Sequence, residues 1–119
     1  MSVLSPIAAN AAADAVTQLL NGGYLCIYHG KTKLAELRYS GTAFGPASAG
    51  IAKANEILPE LAALAFGTAD SFTSLMADRE TVICTGTVGT KDAMLILDKL
   101  DIQPNEEVHI VSHTYEQKM

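Results

Sequence analysis

The stretch Gly22-Gly23-Tyr24-Leu25-Cys26-Ile27-Tyr28-His29-Gly30-Lys31-Thr32-Lys33-Leu34-Ala35-Glu36-Leu37-Arg38-Tyr39 decides the fold. Two glycines end an Ala-rich segment of helical spacing, and an apolar five-residue run follows. A short polar turn at His29-Gly30-Lys31-Thr32 leads into a second run in which Ala35, Leu37 and Tyr39 alternate with Glu36 and Arg38. Period-two alternation on either side of a Gly-containing turn predicts a β-hairpin. In the first run Leu25 and Ile27 share one face and Tyr24, Cys26 and Tyr28 the other. Both faces are apolar, so this strand is expected to be central or covered on both sides.

Upstream, Ser5-Pro6 is a helix start, with Ser at the N-cap and Pro at the first helical position. Gly22-Gly23 is the stop, which predicts a helix over about 5–21. Asn10, Asp14, Gln18 and Asn21 fall on one side at spacings of three and four. Ile7, Ala11, Ala15, Val16, Leu19 and Leu20 fall on the other, which is expected to lie flat on a sheet or on a neighbouring subunit.

Downstream, Ser40 to Gly50 reads as a loop with Phe44 plugging the core. Ile51 to Asn55 reads as a short strand or turn, with a helical turn after Pro59. Thr68 to Met76 is expected to be a strand with Phe72 and Met76 inward. Asp78-Arg79-Glu80 turns it into a β-rich partner over Thr81 to Val88. Ala93 to Leu97 and Val108 to Tyr115 complete six or seven strands across a β region of about 24–115. The fold class is mainly β: an antiparallel β-sandwich or small barrel with an N-terminal helix, the 119 residues forming one domain.

Composition narrows the function classes. The 8 basic residues are scattered against 13 acidic ones, for a net charge of −5, so no basic stripe is present to neutralise phosphates. Nucleic acid is not an expected partner. No apolar run approaches the ~20 residues that span a bilayer, and no membrane partner is expected. Met1 to Asn21 holds no Lys or Arg, so the charged region of a secretory signal is missing and synthesis in a cytoplasm is expected. Cys26 and Cys84 both sit in strand-like runs and read as reduced apolar thiols; a disulfide stays open if their strands are neighbours.

Catalytic, metal and cofactor signals are weak. His109 and His113, four apart in one strand, would project from one face about 13 Å apart, too far to share a metal. His29 stands at a turn tip. Gly86-Thr87-Val88-Gly89-Thr90-Lys91 lacks phosphate-loop spacing, and a bulge or tight hairpin explains its glycines. Asp98, Asp101, Glu106 and Glu107 flank turns and read as solvated. No serine lies in a Gly-x-Ser-x-Gly elbow. No catalytic residue, no metal ligand and no cofactor is expected.

Several segments, in order, carry a resemblance. They are Leu25-Cys26-Ile27-Tyr28-His29-Gly30, Leu34-Ala35-Glu36-Leu37, Ala43-Phe44-Gly45, Gly50-Ile51-Ala52-Lys53-Ala54-Asn55, Gly67-Thr68-Ala69 with Phe72, and Gly86-Thr87-Val88-Gly89-Thr90. With the Ala-rich helix ahead of them, they resemble a family of small structural proteins of tailed bacteriophages over most of the chain. The first turn is shorter than is usual there, and Asp70-Ser71 stands where a bulky aromatic is common, which bears on how the Thr68 strand packs.

The resemblance implies a non-enzymatic virion protein, a capsid decoration or cement protein made in the host cytoplasm. Its partners would be the major capsid protein or other virion proteins, and copies of itself in a homo-oligomer. Candidate interface residues are Ile7, Ala11, Ala15, Phe44, His109 and His113. A tail or head–tail connector component is the alternative within the virion. A small glycan-binding module using Tyr24, Tyr28 and Tyr39 is the alternative outside it.

Overall fold

A computed structural model describes residues 5–57, 63–91 and 93–116. Among these residues one helix, α1 (Pro6–Gln18), precedes nine strands: β1 (Tyr24–His29), β2 (Thr32–Arg38), β3 (Ile51–Lys53), β4 (Gly67–Thr68), β5 (Ser71–Leu75), β6 (Val82–Gly89), β7 (Leu95–Leu97), β8 (Asp101–Ile102) and β9 (Ile110–Glu116). Seven strands form one sheet in the order β2-β1-β5-β6-β7-β9-β3, and β4 pairs with β8. The expected antiparallel sandwich or barrel is thus corrected to a mixed sheet with no closed barrel. The β6–β7 pairing is parallel, through Val88↔Leu95 and Gly89↔Ile96. Between Gly89 and Leu95 the chain steps one strand sideways without reversing.

The expected hairpin of β1 and β2 is present. Gly30 takes a left-handed turn conformation at φ 57°, and β1 lies between β2 and β5. Leu25, Cys26 and Ile27 are accordingly all buried. Cross-strand register makes continuous rows on the inner face, Ala35–Ile27–Phe72–Gly86 and Leu37–Leu25–Ser74–Cys84. The outer face carries Glu36–Cys26–Thr73–Thr85 and Arg38–Tyr24–Leu75–Val82. Gly86 is neither bulge nor turn: it sits in a regular pair with Phe72, and an added Cβ would stand 2.6 Å from that ring. The bulge falls at Ile83 instead, where the register shifts.

The run from Thr68 to Met76 divides in two. Ala69 N–H leaves the line to reach Leu100 C=O, and Asp70 N–H bonds Tyr28 C=O. β4 therefore belongs with β8, and β5 with the large sheet. Phe72 is buried, whereas Met76 is only half-buried at the hairpin end. The Asp78 carboxylate accepts from the backbone N–H groups of Glu80 and Thr81, which fixes the turn into β6. The helical turn expected after Pro59 lies outside the described residues.

The helix matches the sequence expectation only in part: Leu20 is buried and Gln18 exposed, but most of the expected apolar face is turned out. Ser5 caps it through Ala8 N–H. Ala9, Ala13, Thr17 and Leu20 are the buried line, while Ile7, Ala11, Ala15 and Leu19 are exposed. Three of the four polar residues serve the 43–50 loop, whose amides need acceptors, while Gln18 stays exposed. Asn10 Oδ1 accepts from Gly50 N–H, Asp14 Oδ1 from Ala47 N–H and Asn21 Oδ1 from Ala43 N–H, each at 2.8 Å. Phe44 and Ala43 are thereby held in the core as expected. The 44–48 segment also covers the free edge of β3, through the bridges Phe44↔Ala54 and Ser48↔Ile51, which removes an open sheet edge.

Candidate functional site

A cluster of three hydrogen-bonded polar side chains lies inside the fold. Tyr39 follows β2, Ser74 is on β5 and His113 is on β9. Tyr39 Oη stands 2.8 Å from both Ser74 Oγ and His113 Nε2. β5 and β9 are three places apart in the sheet, about 14 Å if it were flat. One phenol oxygen reaches both because the sheet coils, and this cluster ties its two halves together.

The hydrogen-bond directions follow from the acceptors. His113 Nδ1 faces Met94 C=O at 2.9 Å, and a carbonyl only accepts, so Nδ1 carries the proton. Nε2 then accepts from Tyr39 O–H, and Tyr39 Oη accepts from Ser74 O–H. The rings of Phe44, Phe72 and Tyr39 pack around the imidazole at centroid distances of 5.2–5.8 Å. Burial lowers the His113 pKa below the ordinary imidazole value, against a smaller opposing effect of the Met94 bond. Burial likewise pushes the Tyr39 hydroxyl far above its usual range. Serine, histidine and tyrosine in contact suggest nucleophilic chemistry, but His113 meets Tyr39 rather than Ser74, and all three are buried. The arrangement serves cohesion.

His113 was expected to share a face with His109. It does not, because Ile96 pairs with Ser112 and Leu97 with Ile110, leaving Val111 as an extra residue. This bulge shifts the alternation by one and turns His113 inward. His109 stays exposed, with Nε2 2.7 Å from Glu107 Oε2. The six candidate interface residues therefore separate. Ile7, Ala11, Ala15 and His109 are on the surface, whereas Phe44 and His113 are in the core.

The tyrosines separate too. Tyr39 is in the core. The guanidinium groups of Arg38 and Arg79 stand over the Tyr24 ring, at 5.4 and 5.1 Å from its centroid. Arg79 is itself anchored by Glu36 at 2.7 Å. Tyr28 is half-buried beside Ser71. Tyr24 and Tyr28 are thus both half-buried, and Tyr39 alone of the three is in the core.

The cysteines are both free. β1 and β6 flank β5 on opposite sides, so the two thiols are about 10 Å apart by strand spacing. They also point to opposite faces of the sheet. A disulfide needs Cα atoms within about 7 Å. Desolvation raises both thiol pKa values, most directly by burial.

The surface carboxylates expected to be solvated are exposed or half-exposed. Glu106 pairs with Lys99 at 2.6 Å, a contact that lowers the Glu106 pKa and raises that of Lys99. Among the described residues no group of three or more His, Cys, Asp or Glu side chains is arranged to hold a metal ion, and no helix is long and apolar enough to cross a membrane. The polar groove between α1 and the 42–46 loop, about 310 Å³, is lined by Asp14, Thr17, Gln18 and Asn21. Asp14 and Asn21 are already engaged by loop amides, so their acceptor oxygens serve the loop.

Sequence reasoning missed the Tyr39–Ser74–His113 cluster. The signal for Tyr39 was visible, as an aromatic at the inward end of an alternating strand. Nothing in the spacing linked it to residue 74 or 113. No protein-family model matches the chain, and no characterised protein or solved structure matches it either.

Proposed function

We propose that the protein is a non-enzymatic structural component of a virion, a decoration or cement protein of a tailed-phage head that works through its surfaces. The observation that carries this reading is where the large apolar side chains lie. Ile7 is 84%, Phe66 70%, Val111 63% and Leu64 59% exposed, while Asn10 and Asp14 of α1 are spent on loop amides. Scattered apolar residues are ordinary on a protein surface, but so many large ones at high exposure on a small chain favour contact with other proteins.

The motif resemblance supports the same reading, and so does the use of the Ser–Tyr–His cluster for cohesion. A decoration protein needs a stiff body and outward contacts, and on a repeating shell weak contacts act together. A net charge of −5 suits the outside of a shell better than a DNA-facing lumen. A tail or connector component is the alternative within the virion. The glycan-binding reading is disfavoured by the placement of Tyr39 and Tyr24.

Separating phage particles, tails and soluble lysate on a density gradient tests the proposal. The protein is expected with heads. Recovery with tails transfers the role to the tail, and recovery only in soluble lysate removes the virion reading.

A further inference from the structure

The groove between α1 and the 42–46 loop, about 310 Å³, carries polar atoms that the fold does not use. Asp14, Thr17, Gln18 and Asn21 reach it from one side of the helix end, three and four positions apart. Asp14 Oδ1 accepts from Ala47 N–H and Asn21 Oδ1 from Ala43 N–H, each at 2.8 Å. These bonds fix both side chains and spend one terminal atom of each. Among the described residues Asp14 Oδ2, Asn21 Nδ2 and the Gln18 amide have no hydrogen-bond partner. Phe44 and Pro46 supply the apolar part of the wall.

We propose that this groove binds a neutral, hydroxyl-rich ligand, a single sugar ring. The set of spare atoms selects it. A hydroxyl both donates and accepts, whereas a carboxylate only accepts and an amide nitrogen only donates. Of two neighbouring hydroxyls on a ring, one donates to Asp14 Oδ2 and the next accepts from Asn21 Nδ2 or the Gln18 amide. The C–H side of the ring lies against Phe44 and Pro46. Asp14 is the only charged residue lining the groove, so an anion meets repulsion and no Lys or Arg. A metal ion needs more oxygen or imidazole ligands than one carboxylate, and no such group gathers among the described residues. The volume stands at the lower end of the ~300–1,000 Å³ of small-molecule sites, room for one ring. The loop bonds pre-form the site, which limits the cost of ordering it. So few contacts in a half-open groove give an affinity of about millimolar, which repeated copies on one surface raise together. None of the three tyrosines lines the groove. The inference goes beyond the virion role and does not depend on it.

The test titrates the isotopically labelled full chain with the methyl glycosides of glucose, galactose, mannose and N-acetylglucosamine, reading backbone amide shifts by NMR. Sodium acetate and cyclohexanol at the same concentrations serve as the anionic and the single-hydroxyl controls. The expected result is a saturable shift with at least one glycoside, confined to residues 14–21 and 42–47, and no saturable shift with either control. Gln18→Ala, at an exposed position, should weaken that binding about threefold to tenfold with the thermal midpoint unchanged. Asn21→Asp keeps an acceptor for Ala43 N–H but loses the amide donors, and should weaken binding at least as much. The absence of a saturable shift with all four glycosides up to about 100 mM overturns the proposal. So do shifts centred on another surface, equal saturation by acetate, or unchanged affinity in both variants. The titration uses no particles, so its failure leaves the gradient result standing, and absence of the protein from heads leaves a positive titration standing.

Discussion

His113 is the residue on which acid stability turns. Its pKa in the folded protein is lowered, chiefly by burial. The stabilising contribution of its neutral form is fully present above the unfolded value of about 6.5, and it is lost as pH falls from there towards the folded value. The limiting slope is about 1.4 kcal/mol per pH unit. Asp78 and Glu106, whose pKa values are lowered by hydrogen bonds from Thr81 and Lys99, act in a different window. Their contributions are present above about pH 4 and fade below it. Denaturant unfolding measured from pH 7.5 to 5 should show falling stability in the wild type and a flatter profile in His113→Gln. Tyr39→Phe leaves Ser74 and His113 without their shared partner and should cost about 1–3 kcal/mol. At Gly86 the physics is steric. An Ala side chain would meet Phe72 at 2.6 Å and Met94 Sδ at 2.9 Å, so Gly86→Ala should destabilise by about 1–3 kcal/mol in the same assay. The sequence shows this glycine but not its partner, because Phe72 comes opposite only once register is known.

At the scale of elements, α1 shows what periodicity can and cannot deliver. Ser5-Pro6 and the glycines place the helix correctly to within a few residues. Periodicity divides a helix into faces but does not say which is wet. Here small residues, Ala9 and Ala13, fit under the fold, and Asn10, Asp14 and Asn21 are drawn in by amides of a distant loop. Asp14→Ala should therefore destabilise by about 1–3 kcal/mol by orphaning Ala47 N–H, while Asp14→Asn, which keeps an acceptor, should recover most of the loss on thermal unfolding. A surface-facing polar residue would show neither effect, with changes within about 0.5 kcal/mol. The last strand behaves in the same way. Its existence is legible from Val108 to Tyr115, but one extra residue at Val111 reverses which side chains face inward. A bulge leaves no mark in the alternation, because it depends on the strand it pairs with. The run from Thr68 to Met76 is continuous in pattern but divides at Asp70, whose carboxylate accepts from Gly30 N–H across 40 positions.

At the scale of the whole molecule, local signals recover the mainly-β class and the two hairpins. They miss the closing geometry. A parallel step after Gly89 makes the sheet mixed, and the coil is held by Tyr39 bridging β5 and β9. Both are non-local and have no sequence periodicity to announce them. The resulting body is cross-linked by polar groups within and carries large apolar side chains at selected points outside. The proposed function rests on that division of labour: cohesion within, contact without. The most direct test is density-gradient fractionation of a phage lysate, followed by quantitative mass spectrometry of this protein against the major capsid protein. Co-migration with heads at a constant stoichiometric ratio across the peak is the expected result. Recovery confined to the soluble fractions, with none on heads or tails, would contradict a structural role in the virion.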